Sequence, residues 1–184
     1  MKPGTEDSIL DVGCGDGGGL AAHGPDLAIT GVDRVPRPGY ATGRRRFVQA
    51  DATALPFGDG TFDIAYSNSV IEHIVDPDDR RRFVSEIRRV GQRYFVQTPN
   101  RWFPVEPHSL LPFIHWLPRS WGQKLWRFGV SGDPFDQTKL LGRAELARLF
   151  PDARIVRERI GPLTKSLVAV GPREELELLT RRGA

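Results

Sequence analysis

Apolar positions along this chain fall into short β-rich runs separated by turn-rich or helical stretches. SILDV (Ser8 to Val12), LAITGVD (Leu27 to Asp33), RFVQAD (Arg46 to Asp51) and FDIAYS (Phe62 to Ser67) each have the length and β-branched content of a buried strand. RYFVQT (Arg93 to Thr98) adds a fifth, and ARIVRERI (Ala153 to Ile160) and SLVAVG (Ser166 to Gly171) add two late ones. The period changes between Asp78 and Val90, where Phe83, Val84, Ile87 and Val90 mark one face of a helix. Asp76, just before Pro77, is placed to cap it. Arg143 to Phe150 also reads as a helix, with Leu146, Leu149 and Phe150 on one side. Arg173 to Arg182 reads as a polar helix or tail. Strands alternating with helices predict a doubly wound, mostly parallel α/β sheet, with ligands beyond the carboxyl ends of the strands.

Two stretches break the alternation. Arg34 to Arg45 carries Pro36, Pro38 and Gly39, which leaves room for a loop with at most one helical turn. Residues 99–135 are proline-rich and hold all four tryptophans, Trp102, Trp116, Trp121 and Trp126. This long connection reads as an aromatic-rich insertion; such connections are usually functional or disordered, and aromatic content argues against disorder.

The chain of 184 residues fits a single domain over 1–184. Its one cysteine, Cys14, rules out an internal disulfide, and no His/Cys spacing predicts a metal site. No apolar run is long enough to span a membrane, and the first residues are not those of a signal peptide, so the expected compartment is cytoplasmic. The net charge of +3 comes with arginine clusters at 44–46, 80–82 and 88–89, expected to be solvated faces. They lack the interleaved aromatics of a nucleic-acid surface, so nucleic acid is not the expected partner.

The candidate chemistry begins at Gly13-Cys14-Gly15-Asp16-Gly17-Gly18. Glycines at a strand-to-helix turn let backbone approach a ligand, and a following helix start favours negative charge. Asp33, ending the second strand, suits ribose hydroxyls. An NAD site and an S-adenosylmethionine site share these features. Asp11 suits a ligand ammonium better than a pyrophosphate, and Asp51-Ala52 could read an adenine edge. No Tyr-x-x-x-Lys pair or other hydride-transfer constellation accompanies the loop.

Asp11-Val-Gly-Cys-Gly, Gly31-Val-Asp33, Gln49-Ala-Asp51-Ala and LPFGDGTFDIAYSNSVIEH together resemble the class I S-adenosylmethionine-dependent methyltransferases, in particular the type 11 group, over roughly residues 8 to 98. The resemblance implies a Rossmann-like seven-stranded sheet of order 3-2-1-4-5-7-6 with the last strand antiparallel. It implies S-adenosyl-L-methionine as cofactor and S-adenosyl-L-homocysteine as product. Asp11, Gly13, Cys14 and Gly15 would surround the aminocarboxypropyl group. Asp33 would hold the ribose hydroxyls, with Val32 and Arg34 beside the adenine. Asp51 would accept from the adenine amino group while the Ala52 amide donates to the ring. Ser67 and Asn68 would lie near the sulfonium.

His73 is the candidate base and Glu72 a weaker one; His108 and His115 could touch an acceptor or satisfy loop carbonyls. Cys14 and Asp63 read as structural, and Asp16 and Asp59 as turn residues. The implied reaction is methyl transfer to a small-molecule, lipid or glycan acceptor. The alternative is a non-catalytic cofactor-binding or interaction protein on the same fold. The insertion is expected to build the acceptor pocket; the other readings are a satellite core or a membrane-facing patch of aromatic and basic residues. Family members commonly carry amino-terminal helices that cover the cofactor. Few residues precede Ser8 here, so the insertion or a partner is expected to supply that cover. Oligomeric state is not readable from these residues.

Overall fold

The computed structural model describes residues 6–17, 20, 27–106, 109–129, 138–172 and 174. Gly18, Gly19, His108 and, apart from Glu174, the tail from Arg173 to Arg182 lie outside the described residues. Seven strands form one sheet: β1 (Ser8–Val12), β2 (Ala28–Asp33), β3 (Arg46–Gln49), β4 (Phe62–Asn68), β5 (Gly91–Pro99), β6 (Arg154–Ile160) and β7 (Leu163–Gly171). Their order is β3-β2-β1-β4-β5-β7-β6, as the resemblance implied. β1 to β5 are mutually parallel, and β7 runs antiparallel to both β5 and β6. No helix among the described residues is long and apolar enough to cross a membrane.

Side chains alternate across a strand, so β1 feeds two cores. From β1, Leu10 and Val12 join the larger core, where α1 (Pro77–Val90) contributes Phe83, Val84, Ile87 and Val90. Ile9 packs on the opposite face with Cys14, Ile29, Tyr40 and Ile64. Asp11, two residues on from Ile9, is directed to that second face. The Asp76 side chain accepts from the amides of Asp78 and Asp79, closing the start of α1 as its sequence predicts. Segment 34–45 forms turns without a helix.

The arginine clusters are not all solvated. Arg81 and Arg82 are exposed and pair with Asp78 and Asp79. Arg80 is buried, which corrects the expectation for its cluster. Its guanidinium donates to the Ile74 carbonyl (3.0 Å), Glu145 (3.0 Å) and the Lys139 carbonyl (3.3 Å), so each of its three nitrogens has an acceptor to offset desolvation. These bonds join α1 to α3 (Arg143–Leu149) and fix the segment after β4. Arg89 similarly ties α1 to the loop before β4, donating to the carbonyls of Phe57 (2.7 Å) and Leu55 (3.1 Å).

The described residues of the insertion are more regular than its prolines suggest. It contains a 3-10 turn at Ile114–Trp116 and a helix, α2 (Arg119–Trp126). Pro118 occupies the cap, and no side chain caps the helix. The segment folds back on itself, with a bridge between Val105 and Pro112 and the Phe113 amide donating to the Pro104 carbonyl (2.6 Å).

Candidate functional site

A cavity of about 640 Å³ opens at the carboxyl ends of β1, β2 and β3. Gly13, Gly15, Val32, Asp33, Arg34, Asp51, Ala52 and His73 line it together. It sits where strand order reverses on either side of β1, the position at which open α/β sheets bind ligands.

The loop is held by its own backbone. The amides of Gly13 (2.8 Å) and Cys14 (3.1 Å) both donate to the Val32 carbonyl, folding the chain across the end of β2. Gly13 has a φ of +75°, and a Cβ there would lie 2.3 Å from Val70 Cγ2. Both facts require glycine. Gly15 also has a positive φ of +52°, but its missing Cβ faces open space. Close approach of a ligand to backbone is therefore available at Gly15.

Asp33 is fixed from two sides. Its Oδ2 accepts from the Gly15 amide (3.1 Å) and its Oδ1 from the Val35 amide (2.9 Å). A carboxylate oxygen can accept more than one bond, so both keep capacity for hydroxyl donors. Asp51 is fixed by one oxygen: Oδ1 accepts from the Thr53 amide (2.8 Å) and hydroxyl (2.7 Å). Those bonds hold its carboxyl below the ordinary carboxylate range. Its Oδ2 lies 3.7 Å from Arg34 Nε.

Asp11 is placed differently. It is 3% exposed, lies beneath the loop rather than on the cavity wall, and accepts from the Tyr40 hydroxyl (3.0 Å). Burial pushes its carboxyl up to about 6, against the opposing effect of the Tyr40 bond. Tyr40 reaches it because Gly31, the β2 partner of Asp11, has no side chain; a Cβ there would lie 2.3 Å from the Tyr40 ring. Cys14 is buried in the same core, and burial with the nearby Asp11 and Asp33 carboxylates pushes its thiol up to about 12. Such a thiol is a packed residue and not a nucleophile at neutral pH.

Ser67 and Asn68 do not line the cavity either. The Ser67 hydroxyl is buried and donates to the Val12 carbonyl (3.0 Å), tying β4 to β1. Asn68 is exposed at the strand end. His73 lies on a 3-10 turn, Ile71–His73, which is anchored by Glu72: its carbonyl accepts from the Lys139 amide (2.7 Å) and its carboxylate from the Thr98 hydroxyl (3.0 Å). Glu72 is buried and holds the turn that carries His73. Asp63 accepts from the Ser8 amide (2.8 Å) and hydroxyl (2.6 Å), a structural role.

Arg37 and Tyr40 are among the residues that escaped sequence reasoning. Arg37 lines the cavity, with Nε 3.5 Å from Asp33 and Nη1 2.8 Å from Asp16, so it crosses the mouth between the second strand and the glycine loop. Tyr40 supports Asp11. Both sit in the loop after β2, which Pro36, Pro38 and Gly39 mark as a loop without marking either side chain. Val70, Ile74 and Val75 give the cavity an apolar side. No described residue of the insertion lines it, which differs from the expected acceptor pocket. His115 instead bonds the Arg101 carbonyl (2.9 Å), as does the Trp116 indole (2.9 Å), so it satisfies a loop carbonyl.

The chain is similar to known proteins. A family model described as a methyltransferase domain matches residues 10–93. A demethylmenaquinone methyltransferase of Roseiflexus castenholzii is 32% identical over 176 residues, covering 88% of this chain and 71% of that protein. An O-methyltransferase of Pyrenophora dematioidea is 40% identical over 102 residues, 49% of this chain and 37% of that protein. The cnsE O-methyltransferase of Penicillium expansum is likewise matched over only 39% of its length, so the matches span well under half of these two curated relatives. Among solved structures, the 1,6-didemethyltoxoflavin-N1-methyltransferase of Burkholderia thailandensis, bound to 1,6-didemethyltoxoflavin and S-adenosylhomocysteine, has a TM-score of 0.60 at 20% identity. That alignment covers 89% of this chain and 69% of the other. An S-adenosylmethionine-dependent methyltransferase of Mesorhizobium loti has a TM-score of 0.60 at 15% identity, covering 92% and 93%. Sheet order, strand-end carboxylates and the relative matched over 71% of its length agree: the chain belongs to the class I S-adenosylmethionine-dependent methyltransferases.

Proposed function

We propose that this chain transfers a methyl group from S-adenosylmethionine to a small, largely apolar acceptor. The observation that carries the reading is the single cavity that brings Gly13, Gly15, Asp33, Asp51, Ala52 and His73 together. The donor set fits the cofactor: carboxylates fixed by backbone amides for ribose hydroxyls and an adenine amino group, an exposed glycine backbone, and a buried carboxylate beneath the loop for an ammonium. When bound, S-adenosylmethionine supplies a methyl group already activated on a sulfonium, so alignment and exclusion of water do much of the work.

This chain's residues divide that work. Asp33 would hold the ribose and Asp51 the adenine amino group, with the Ala52 amide, Val32 and Arg34 available beside the ring. Asp11 would offset the charge of the ammonium. The apolar side formed by Val70, Ile74 and Val75 receives the acceptor and keeps water from it. His73 accepts the proton that an acceptor hydroxyl or amine loses. The names of relatives that act on demethylmenaquinone and 1,6-didemethyltoxoflavin support a small-molecule acceptor.

Parallel calorimetric titrations with S-adenosylhomocysteine and NAD test the cofactor. Binding of the former alone is expected; binding of NAD alone overturns the reading. His73→Ala is expected to lower kcat by about 100-fold or more on an identified acceptor, with unchanged S-adenosylhomocysteine affinity. Undiminished turnover removes it as the base.

A further inference from the structure

Large apolar side chains are exposed in the insertion to a degree found nowhere in the sheet core. Trp102 is 65% exposed, Trp121 64% and Phe128 66%. Leu110, Phe113, Trp116 and Leu125 are exposed as well. They are organised and not scattered. Trp116 packs against Trp102 (ring centroids 6.3 Å apart) and Phe113 (5.3 Å). Trp121 and Leu125 lie one turn apart on α2, and Phe128 follows just beyond its end. Exposed aromatic groups of this extent mark an interaction surface.

Charge identifies the partner. Over residues 100–129 the only acidic side chain is Glu106. It is 2% exposed and accepts from the Ser109 amide (2.6 Å) and hydroxyl (2.9 Å), so it shows no charge to a partner. The remaining formal charges in that segment are all positive: Arg101, Arg119, Lys124 and Arg127. Arg101 lies over the Trp102 ring (5.7 Å) and Arg127 over the Phe128 ring (4.8 Å). Cations alternate with amphipathic rings, and among the described residues 100–106 and 109–129 no exposed anion opposes them. A second copy of this chain would present the same positive charge and be repelled. An anionic lipid surface is complementary to both features, because rings enter the headgroup region while cations meet lipid phosphates.

We propose that the insertion, centred on Trp121, Lys124, Leu125, Arg127 and Phe128, docks the protein on anionic membrane surfaces. The cavity lies elsewhere, so this proposal stands independently of the methyl-transfer reading.

The test is flotation of the full chain with phosphatidylcholine vesicles, with and without phosphatidylglycerol, over a salt series. The protein is expected to float with the anionic vesicles at low salt and to lose binding as salt rises. Lys124→Glu with Arg127→Glu should reduce the bound fraction roughly tenfold or more, and Trp121→Ala with Phe128→Ala should do likewise. These side chains are exposed, and circular dichroism of each variant confirms folding; Phe128→Ala alone serves if a double variant fails to fold. Absence of flotation at low salt overturns the proposal, as does binding indifferent to lipid charge and to both variants. Light scattering that shows a dimer dissociated by Trp121→Ala also overturns it, in favour of a second copy.

Discussion

At the carboxyl ends of β1 to β3, polar side chains are fixed by the protein's own amides. Asp33 is bonded by Gly15 and Val35, and Asp51 by Thr53. In residues 100–129 the reverse holds: large apolar side chains stand in solvent, while the one carboxylate is buried and bonded. The first region is arranged ahead of a small polar ligand, so little ordering cost remains when one binds. The second gains only when something covers it. A single chain thus carries one recognition surface preorganised by hydrogen bonds and another defined by unburied area. Substitutions should act oppositely in the two: on ligand affinity or stability in the first, and on neither in the second.

The largest effect is expected at Gly13. Alanine there combines a positive φ with a contact of 2.3 Å to Val70, which should cost about 2 to 3 kcal/mol in chemical denaturation. Adding Val70→Ala should recover the steric part and leave the backbone part. A neutral Gly13→Ala would mean that the loop is not preorganised as described. Next is Asp33→Ala, which would remove the proposed charged hydrogen bonds to the ribose and should weaken S-adenosylhomocysteine by about 10- to 100-fold in calorimetry. Equal affinity would remove the proposed ribose role.

The sequence exposed the first region well and the second poorly, for physical reasons. Strand runs such as SILDV and FDIAYS carry their own period, and Asp76-Pro77 announces the start of α1, so the elements could be read, while strand order came only with the family resemblance. Asp33 and Asp51 could be read because each ends or follows a strand. The Tyr40–Asp11 bond could not: it depends on Gly31 aligning with Asp11 across two strands, a contact between three separated positions. Arg37 was hidden for the same reason, since its partners Asp33 and Asp16 lie on different elements. α2 was missed because it has neither a side-chain cap nor an acidic residue in its first turn, and it contains Gly122, a poor helix former. Its exposed face then gave no apolar period directed at a core.

A smaller effect separates Asp11 from the amide-held carboxylates. Its carboxyl is raised from 3.8 to about 6 by burial. The folded chain therefore holds a proton there that the unfolded chain has lost, and this contribution to stability falls as pH rises across that window. A ligand ammonium favours the ionised form, so binding should release the proton. S-adenosylhomocysteine affinity is then expected to climb as pH approaches about 6 and to level off above it, by about tenfold for each pKa unit that binding displaces. Asp11→Asn should flatten this profile. Tyr40→Phe removes the bond that lowers the pKa and should move the midpoint upward. A profile unchanged in both variants would detach Asp11 from the ligand.

The smallest effect is the sharpest separation of the two regions. Trp121 is the kind of residue whose truncation in a core costs about 3 to 5 kcal/mol. Here it is 64% exposed and belongs to neither core cluster. Trp121→Ala should therefore change unfolding free energy by no more than about 0.5 kcal/mol. It should also leave S-adenosylhomocysteine affinity unchanged, because α2 contributes no residue to the cavity wall. A loss of several kcal/mol would mean that the side chain is packed within this chain, and the insertion would then be a satellite core. A loss of cofactor affinity with stability intact would instead connect the insertion to the cavity. If neither changes, Trp121 is held in place for a contact outside the folded chain, unlike Asp33, whose bonds are made within it.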